Sequence, residues 1–350
     1  MVDVWAMGIS HPSVVARQAA RSEAAGYDGM FVVDSQNLAG DPFVGLTIAA
    51  RETTRLQLGT GVTNPAMRHP AAAAAAIASV HLASGGRAVL GIGRGDSALA
   101  HVGLAPVSVE RLERFVAVTR AYLWGESVSF DDLALFAPHR VAPVAALGLA
   151  DAPETSRLHW LPTDLAPVPV EVVGTGPKVL DAAARTADRV VLAVGADPER
   201  VGWAIDRVRA TNASVPIGAF VNVVAHPDLG IARQLIAGGM STFARFSVMH
   251  GNVPTPMSDT QRSTLSNVHR VYDMNRHTQG GSPQAAQLDP DFIDRFGIAG
   301  PATMCVERLQ ELAKLGIDRF VVVGPTTGVD RDAASAAGRN FAEEVLPALR

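Results

Sequence analysis

The sequence predicts a (β/α)8 barrel of parallel strands, on three observations. Short apolar runs alternate with longer amphipathic ones along most of the 350 residues. The short runs are continuously apolar rather than alternating, as expected of parallel strands buried on both faces. Eight such pairs fit in the length, since barrels of this kind need about 250 residues and insertions account for the rest.

In order, residues 2–9 predict a first strand, 11–26 a helix closed by Gly26, and 29–33 a second strand, which together make a βαβ unit. A helix at 42–51 leads to the apolar run LQLGTGVTN at 56–64, an alanine-rich helix at 70–83 and a fourth strand at 88–93. The helix at 109–124 places Leu112, Phe115, Val116, Thr119 and Leu123 on one face. Residues 125–167, rich in Pro, Ala and His, carry no helical period and predict an insertion on the face opposite the strand ends. Alternation resumes with strands at 168–173, 190–194 and 215–224, separated by helices at 177–186 and 198–211. A second insertion, at about 228–300, holds a helix or two and lies where it could cover the strand ends. A helix at 303–315, strand eight at 319–323 and a helix at 330–346 complete one domain over 1–350.

An open doubly wound sheet is the competing architecture. It calls for G-x-G-x-x-G at the first strand-to-helix turn, where this chain has Gly8-Ile9-Ser10-His11-Pro12. Neither GIGRGD at 91–96 nor GTGPKV at 174–179 has that spacing.

Composition bounds the function. At 48% hydrophobic, 18% charged and a net charge of −4, the chain fits neither a nucleic-acid binder nor a membrane-surface protein. No apolar run approaches the roughly 18 residues of a membrane span, so a cytoplasmic location is expected. The single Cys305 excludes an internal disulfide and is expected to pack at the start of a helix. His11, His69, His226 and His250 show no metal-ligand spacing, and there is no His-Glu-x-x-His or Gly-x-Ser-x-Gly, so metal and serine hydrolysis lack support. His81, on a helix face, is expected to be structural.

In a barrel, chemistry sits at the carboxyl ends of the strands. Gly59, Gly61, Thr63 and Asn64 at the carboxyl end of strand three suggest a ligand platform, small groups against which a flat molecule can lie. Gly174, Thr175, Gly176, Pro177 and Lys178 suggest a phosphate cradle: glycine amides, a proline that starts a helix, the positive end of that helix, and one of only two lysines. The same residues also suit a tight corner with no ligand. Arg94, Gly95 and Asp96 follow strand four. Asp96 is a candidate catalytic proton donor or relay, or else a cap or partner of Arg94. Asp34 and Ser35, at the end of strand two, could bond a ligand or satisfy loop amides.

These segments, LQLGTGVTNPAMRHPAAAAAAIASVHLASGGRAVLGIGRGDSAL, VERLERFVAVTRAYLWGE, GTGPKVLDAAARTADRVVL and LQELAKLGIDRFVVVGP, resemble the luciferase-like oxidoreductase superfamily. Within it they are most similar in pattern to the methylenetetrahydromethanopterin reductases and their relatives, which use the deazaflavin coenzyme F420. The resemblance implies a (β/α)8 barrel, a homodimer, a small-molecule substrate, and a cofactor ring on a bulge at the end of strand three with a non-proline cis peptide at Gly61-Val62. It implies cofactor binding by Asp34, by Gly61 to Asn64, by Arg94 and Gly95, and by a phosphate site at Gly174 to Lys178, with Asp96 near the reactive edge of the ring.

Two departures concern substrate. Those reductases carry a glutamate in strand one, where this chain has Val4-Trp5-Ala6-Met7-Gly8, and the family's Asp-His after strand two is Asp34-Ser35 here. The leading expectation is therefore an F420-dependent oxidoreductase that transfers a hydride at C5 of the deazaflavin to or from an organic substrate other than the pterin. The alternatives are an FMN-dependent monooxygenase that uses O₂, and a binding protein for a flavin or deazaflavin that has no activity.

Overall fold

In the computed structural model, which describes residues 2–137, 141–249, 251, 253 and 255–350, eight parallel strands close on themselves. They are β1 (Asp3–Gly8), β2 (Gly29–Val32), β3 (Gln57–Thr60), β4 (Ala88–Ile92), β5 (Val170–Gly174), β6 (Arg189–Leu192), β7 (Ile217–Ala225) and β8 (Arg319–Val323). Pairing of β8 with β1, Val4 opposite Phe320, and of β6 with β7, Val190 opposite Ile217, completes the ring. The chain is a (β/α)8 barrel.

The strands are apolar on both faces because each face has its own core. Val4, Met30, Leu58, Leu90, Val170, Val190 and Ile217 point outward, against the helices. Trp5, Phe31, Val89, Val191, Phe220 and Val321 fill the interior. Two glycines make room for the large rings: a Cβ on Gly29 would come within 2.3 Å of Trp5, and one on Gly59 within 2.2 Å of Phe31. Gly59 therefore serves barrel packing and is not part of a ligand platform. From the floor upward, Arg319 lies 4.1 Å over Trp5, Trp5 meets Phe31 edge-on at 4.7 Å, and Phe31, Phe220 and Phe243 follow at about 6 Å spacing. This column of rings supports the upper end of the barrel from below.

The outer helices are α1 (Pro12–Ala25), α2 (Pro42–Glu52), α3 (Pro70–Ala83), α4 (Val109–Leu123), α5 (Pro177–Thr186), α6 (Pro198–Thr211), α7 (Leu229–Ser247), α8 (Asp259–Val271), α9 (Ala302–Lys314) and α10 (Arg331–Asn340). Their starts follow local chemistry. Six of them, α1, α2, α3, α5, α6 and, one residue before its start, α9, use a proline whose missing N–H costs nothing there, and His11, Asp41, His69 and Asp197 cap the following amides. The expected face of α4 is buried throughout. His81 is structural: it is buried, and its Nδ1 accepts the Ala88 amide at 3.1 Å, tying α3 to β4. Cys305 is buried in the first turn of α9, where burial pushes its thiol up to about 11.

Two expectations need correction. The insertion at 125–167 leaves from the opposite face but folds back along α4, so that Phe136 packs edge-on against Phe115 at 5.8 Å and against His69, at the start of α3, at 6.4 Å. A ninth parallel strand, Ile298–Gly300, extends β7 outside the barrel, with Ile298 opposite Val223. The last helix runs on as expected, with one wide turn at Phe341–Val345 ahead of Pro347. Among the described residues no helix is long and apolar enough to cross a membrane. His250 lies outside the described residues.

Candidate active site

A cavity of about 820 Å³, lined mainly by apolar side chains, opens at the carboxyl ends of the strands. This is within the range of pockets that enclose a cofactor-sized molecule. Of the residues singled out from sequence, Asp34, Gly61, Val62, Asn64, Arg94, Gly95, Asp96, Gly174, Thr175 and Gly176 line it. Thr63, Pro177 and Lys178 do not. Thr63 is fully buried with its hydroxyl directed at Asp34, and the Lys178 side chain is exposed. Of the residues read as a phosphate cradle, Gly174, Thr175 and Gly176 at the amino end of α5 face the cavity and the lysine does not.

The platform forms where the chain leaves the β3–β4 ladder. Gly61 donates to the Val32 carbonyl at 2.7 Å, the Gly61-Val62 peptide is cis, and the chain rejoins β4 through Thr63, whose amide donates to the Gly91 carbonyl at 2.9 Å. Gly61 cannot carry a side chain, since its Cβ would lie 2.7 Å from Phe31. Asn64 Oδ1 accepts the amides of Ala66 and Met67, which starts the turn after the platform.

Asp34 is tied to the protein. Its carboxylate accepts from Arg68 at 2.7 Å and from Gln36, while Arg68 also holds Asp41 at 2.6 Å. Burial raises its pKa, and the Arg68 charge and the Thr63 hydroxyl oppose that rise. It acts as a strut between β2 and the loop after β3. Arg94 Nε donates to the Val107 carbonyl at 2.6 Å, which fixes the loop after β4.

The insertion after β7 supplies what sequence reasoning missed. Thr242, Phe243, Phe246 and Ser247 of α7, together with Thr255 and His277, wall the cavity opposite β3. Asp96 pairs with Arg245 of α7, and the Arg245 guanidinium lies 4.9 Å over the ring of Tyr272. Asp96 occupies the N-cap position of the short helix Ser97–Ala100 but its side chain does not cap it. No sequence pattern links positions 96, 245, 272 and 277, because three separate segments bring them together. The only local signal was that Thr242 and Arg245 stand three apart, on one face of α7.

Whether these residues suit a flat, phosphate-bearing cofactor can be judged from the cavity wall. The Cβ of a residue at position 176 would meet nothing within 4 Å, so the backbone at the start of α5 is open to an incoming group. Asn64 Nδ2 and the Ser35 hydroxyl, both on the cavity wall, are buried without a hydrogen-bond partner among the described residues. Such groups suit a ring with a polar edge. The residues fit.

Residues 3–319 match the model of the luciferase-like monooxygenase family. The chain belongs to this family. It is 25% identical over 344 residues to 5,10-methylenetetrahydromethanopterin reductase of Methanolobus tindarius, covering 89% of this chain and 90% of the relative. It is 30% identical over 203 residues to F420-dependent glucose-6-phosphate dehydrogenase of Nakamurella multipartita, about half of each chain. Among solved structures, the coenzyme F420-dependent tetrahydromethanopterin reductase of Methanopyrus kandleri superposes with a TM-score of 0.73 at 22% identity, covering 100% of this chain and 99% of the other. This luciferase-like chain is an enzyme, and its relatives by sequence are oxidoreductases that work on dissimilar substrates.

Proposed function

We propose that the chain is an F420-dependent oxidoreductase that transfers a hydride between the deazaflavin and a small organic substrate. The observation that carries this reading is one cavity that joins the Gly61-Val62 platform to an open helix amino terminus at Gly176. Two sequence relatives support it, a 5,10-methylenetetrahydromethanopterin reductase matched along nine-tenths of its length and an F420-dependent glucose-6-phosphate dehydrogenase matched along about half. The deazaflavin, when bound, supplies two-electron hydride chemistry.

The rest falls to this chain's residues. Gly61 and Val62 support the ring, Asn64 and Ser35 meet its polar edge, and the amides of Gly174 to Gly176 hold the phosphate on the positive end of α5. Arg94 and Gly95 shape the wall beside the ring. Phe243, Phe246 and the other apolar side chains of the insertion exclude water. Asp96, near that wall, is the proposed proton relay. Asp96→Asn is expected to keep coenzyme affinity and lose turnover, and unchanged turnover would remove Asp96 from the mechanism.

The family's description as monooxygenases supports a second reading, an FMN enzyme that uses O₂. Anaerobic incubation with reduced F420 and a panel of ketones, imines and enones separates the two. Return of the oxidised deazaflavin absorbance with one acceptor supports the proposal. Oxygen uptake with reduced FMN, and no acceptor for reduced F420, supports the monooxygenase. Tight binding with no turnover of either kind would indicate a binding protein.

A further inference from the structure

The loop that carries His277 into the cavity is pinned from several sides. Thr278, at φ 61, has its carbonyl held by the hydroxyls of Thr326 and Thr327. Gly280 donates to the Thr327 carbonyl at 2.8 Å. The fully buried Gln284 ties the preceding turn together, accepting the Asp273 amide at 3.1 Å and donating to the Arg276 carbonyl at 3.0 Å. A ring held this firmly on the cavity wall is preorganised, which a contact made only for loop packing does not require.

The hydrogen bonds of the ring fix its orientation. His277 Nδ1 lies 2.8 Å from the Tyr272 hydroxyl, which lies 3.1 Å from Thr242 Oγ1. Burial pushes the Tyr272 phenol up to about 12, so it keeps its one hydrogen. Burial, with the charges of Arg245 and His101, holds His277 down at about 4, so the imidazole is neutral. The titratable groups around the ring are Tyr272, His101 and Arg245 with its partner Asp96. Both contacts accommodate a polarity that runs from Thr242 to Tyr272 to His277, in which the Tyr272 oxygen accepts from Thr242 and donates its one hydrogen to the ring, and the proposal takes this polarity. Nδ1 then accepts, and the remaining hydrogen is on Nε2.

We propose that His277 presents Nε2–H to the cavity as the hydrogen-bond donor for the acceptor atom of an uncharged substrate, a carbonyl oxygen or an imine nitrogen, with Tyr272 as the positioning residue that sets the tautomer. The assignment rests on the cavity being the reaction site of an F420-dependent oxidoreductase. Hydride arrival at a carbonyl carbon breaks the C=O π bond and leaves its electron pair on oxygen. Nε2–H meets that charge as it develops, and a proton relayed through Asp96 completes the alcohol, while the reduced deazaflavin becomes oxidised. A base at the same nitrogen would have to become imidazolium beside Arg245, so His277 favours reduction of the acceptor over removal of a hydroxyl proton.

Nitrogen-15 spectroscopy of the histidine rings tests this in the full chain, with no turnover required. His277→Gln identifies the signal, and if that variant does not fold, contact with the Tyr272 ring protons does. The expected result is a neutral ring at pH 5 with hydrogen on Nε2 and none on Nδ1, loss of that preference in Tyr272→Phe, and a downfield shift of the Nε2 hydrogen on adding cyclohexanone. A cationic ring at pH 5, hydrogen on Nδ1, or an Nε2 hydrogen indifferent to cyclohexanone would overturn it. Failure of F420 to bind while the ring behaves as expected would defeat the functional reading and leave the donor assignment standing.

Discussion

Asp96 and Arg245 join the loop after β4 to the helix that walls the cavity, and removing either should cost more than removing both. Their side chains are 9% and 16% exposed, so neither charge can turn fully to water. At about 4 Å separation and an effective dielectric of about 20, the gross attraction is about 4 kcal/mol. Arg245→Gln leaves the more buried carboxylate without its guanidinium and removes the cation over Tyr272, a loss of about 3 to 4 kcal/mol. Asp96→Asn leaves Arg245 its place over the Tyr272 ring, 4.9 Å away, so about 2 to 3 kcal/mol is expected. The double variant places two neutral amides where the charges stood. Urea unfolding of all four proteins at pH 7 should give a coupling energy of at least about 2 kcal/mol. Single effects that add to the double within about 0.5 kcal/mol would show that the pair is incidental.

Three further outcomes are expected. Gly176→Val has free space for its side chain and an extended backbone at φ −93, so thermal stability should hold while F420 affinity falls at least about tenfold, and retained affinity would displace the phosphate from α5. Gly61→Val cannot serve that purpose, because it would meet Phe31 before any ligand. His277, lowered to about 4, binds a proton in the unfolded chain before the folded one, so its contribution to stability is complete above about pH 6.5 and lost as pH falls toward 4, up to about 3 kcal/mol. Unfolding of His277→Gln across that range should be flatter than wild type by this amount, and equal slopes would contradict the assignment. Glu23 should govern a lower window: burial alone would raise its carboxyl, but the amides of Arg55, Leu56 and Thr54 together hold it at about 2, so stability is lost as pH falls from about 4.5 to 2. Glu23→Gln should remove that acid transition.

The barrel was legible because its signal is local. Each strand is buried on two faces and reads as an apolar run, and each helix start carries a proline or a cap within a few residues of the predicted boundary. The platform was legible for a related reason, since Gly61 stands where the close approach of Phe31 requires a glycine. What escaped depends on contacts distant in sequence. The path of 125–167 is set by Phe136 meeting Phe115 and His69, which no period in the insertion announces. Lys178 looked like part of a phosphate site by proximity, but the second residue of α5 projects away from the cavity. His277 lies in a glycine-rich loop without periodicity, and only the fold brings it to Tyr272 and Thr242.

Titration of the purified protein with F420 and, separately, with FMN, followed by fluorescence, bears most directly on the claim that this luciferase-like cavity is a deazaflavin site. The account predicts tight binding of F420 and weak binding of FMN, with F420 affinity reduced in Gly176→Val. Preference for FMN, or binding of neither, would contradict it.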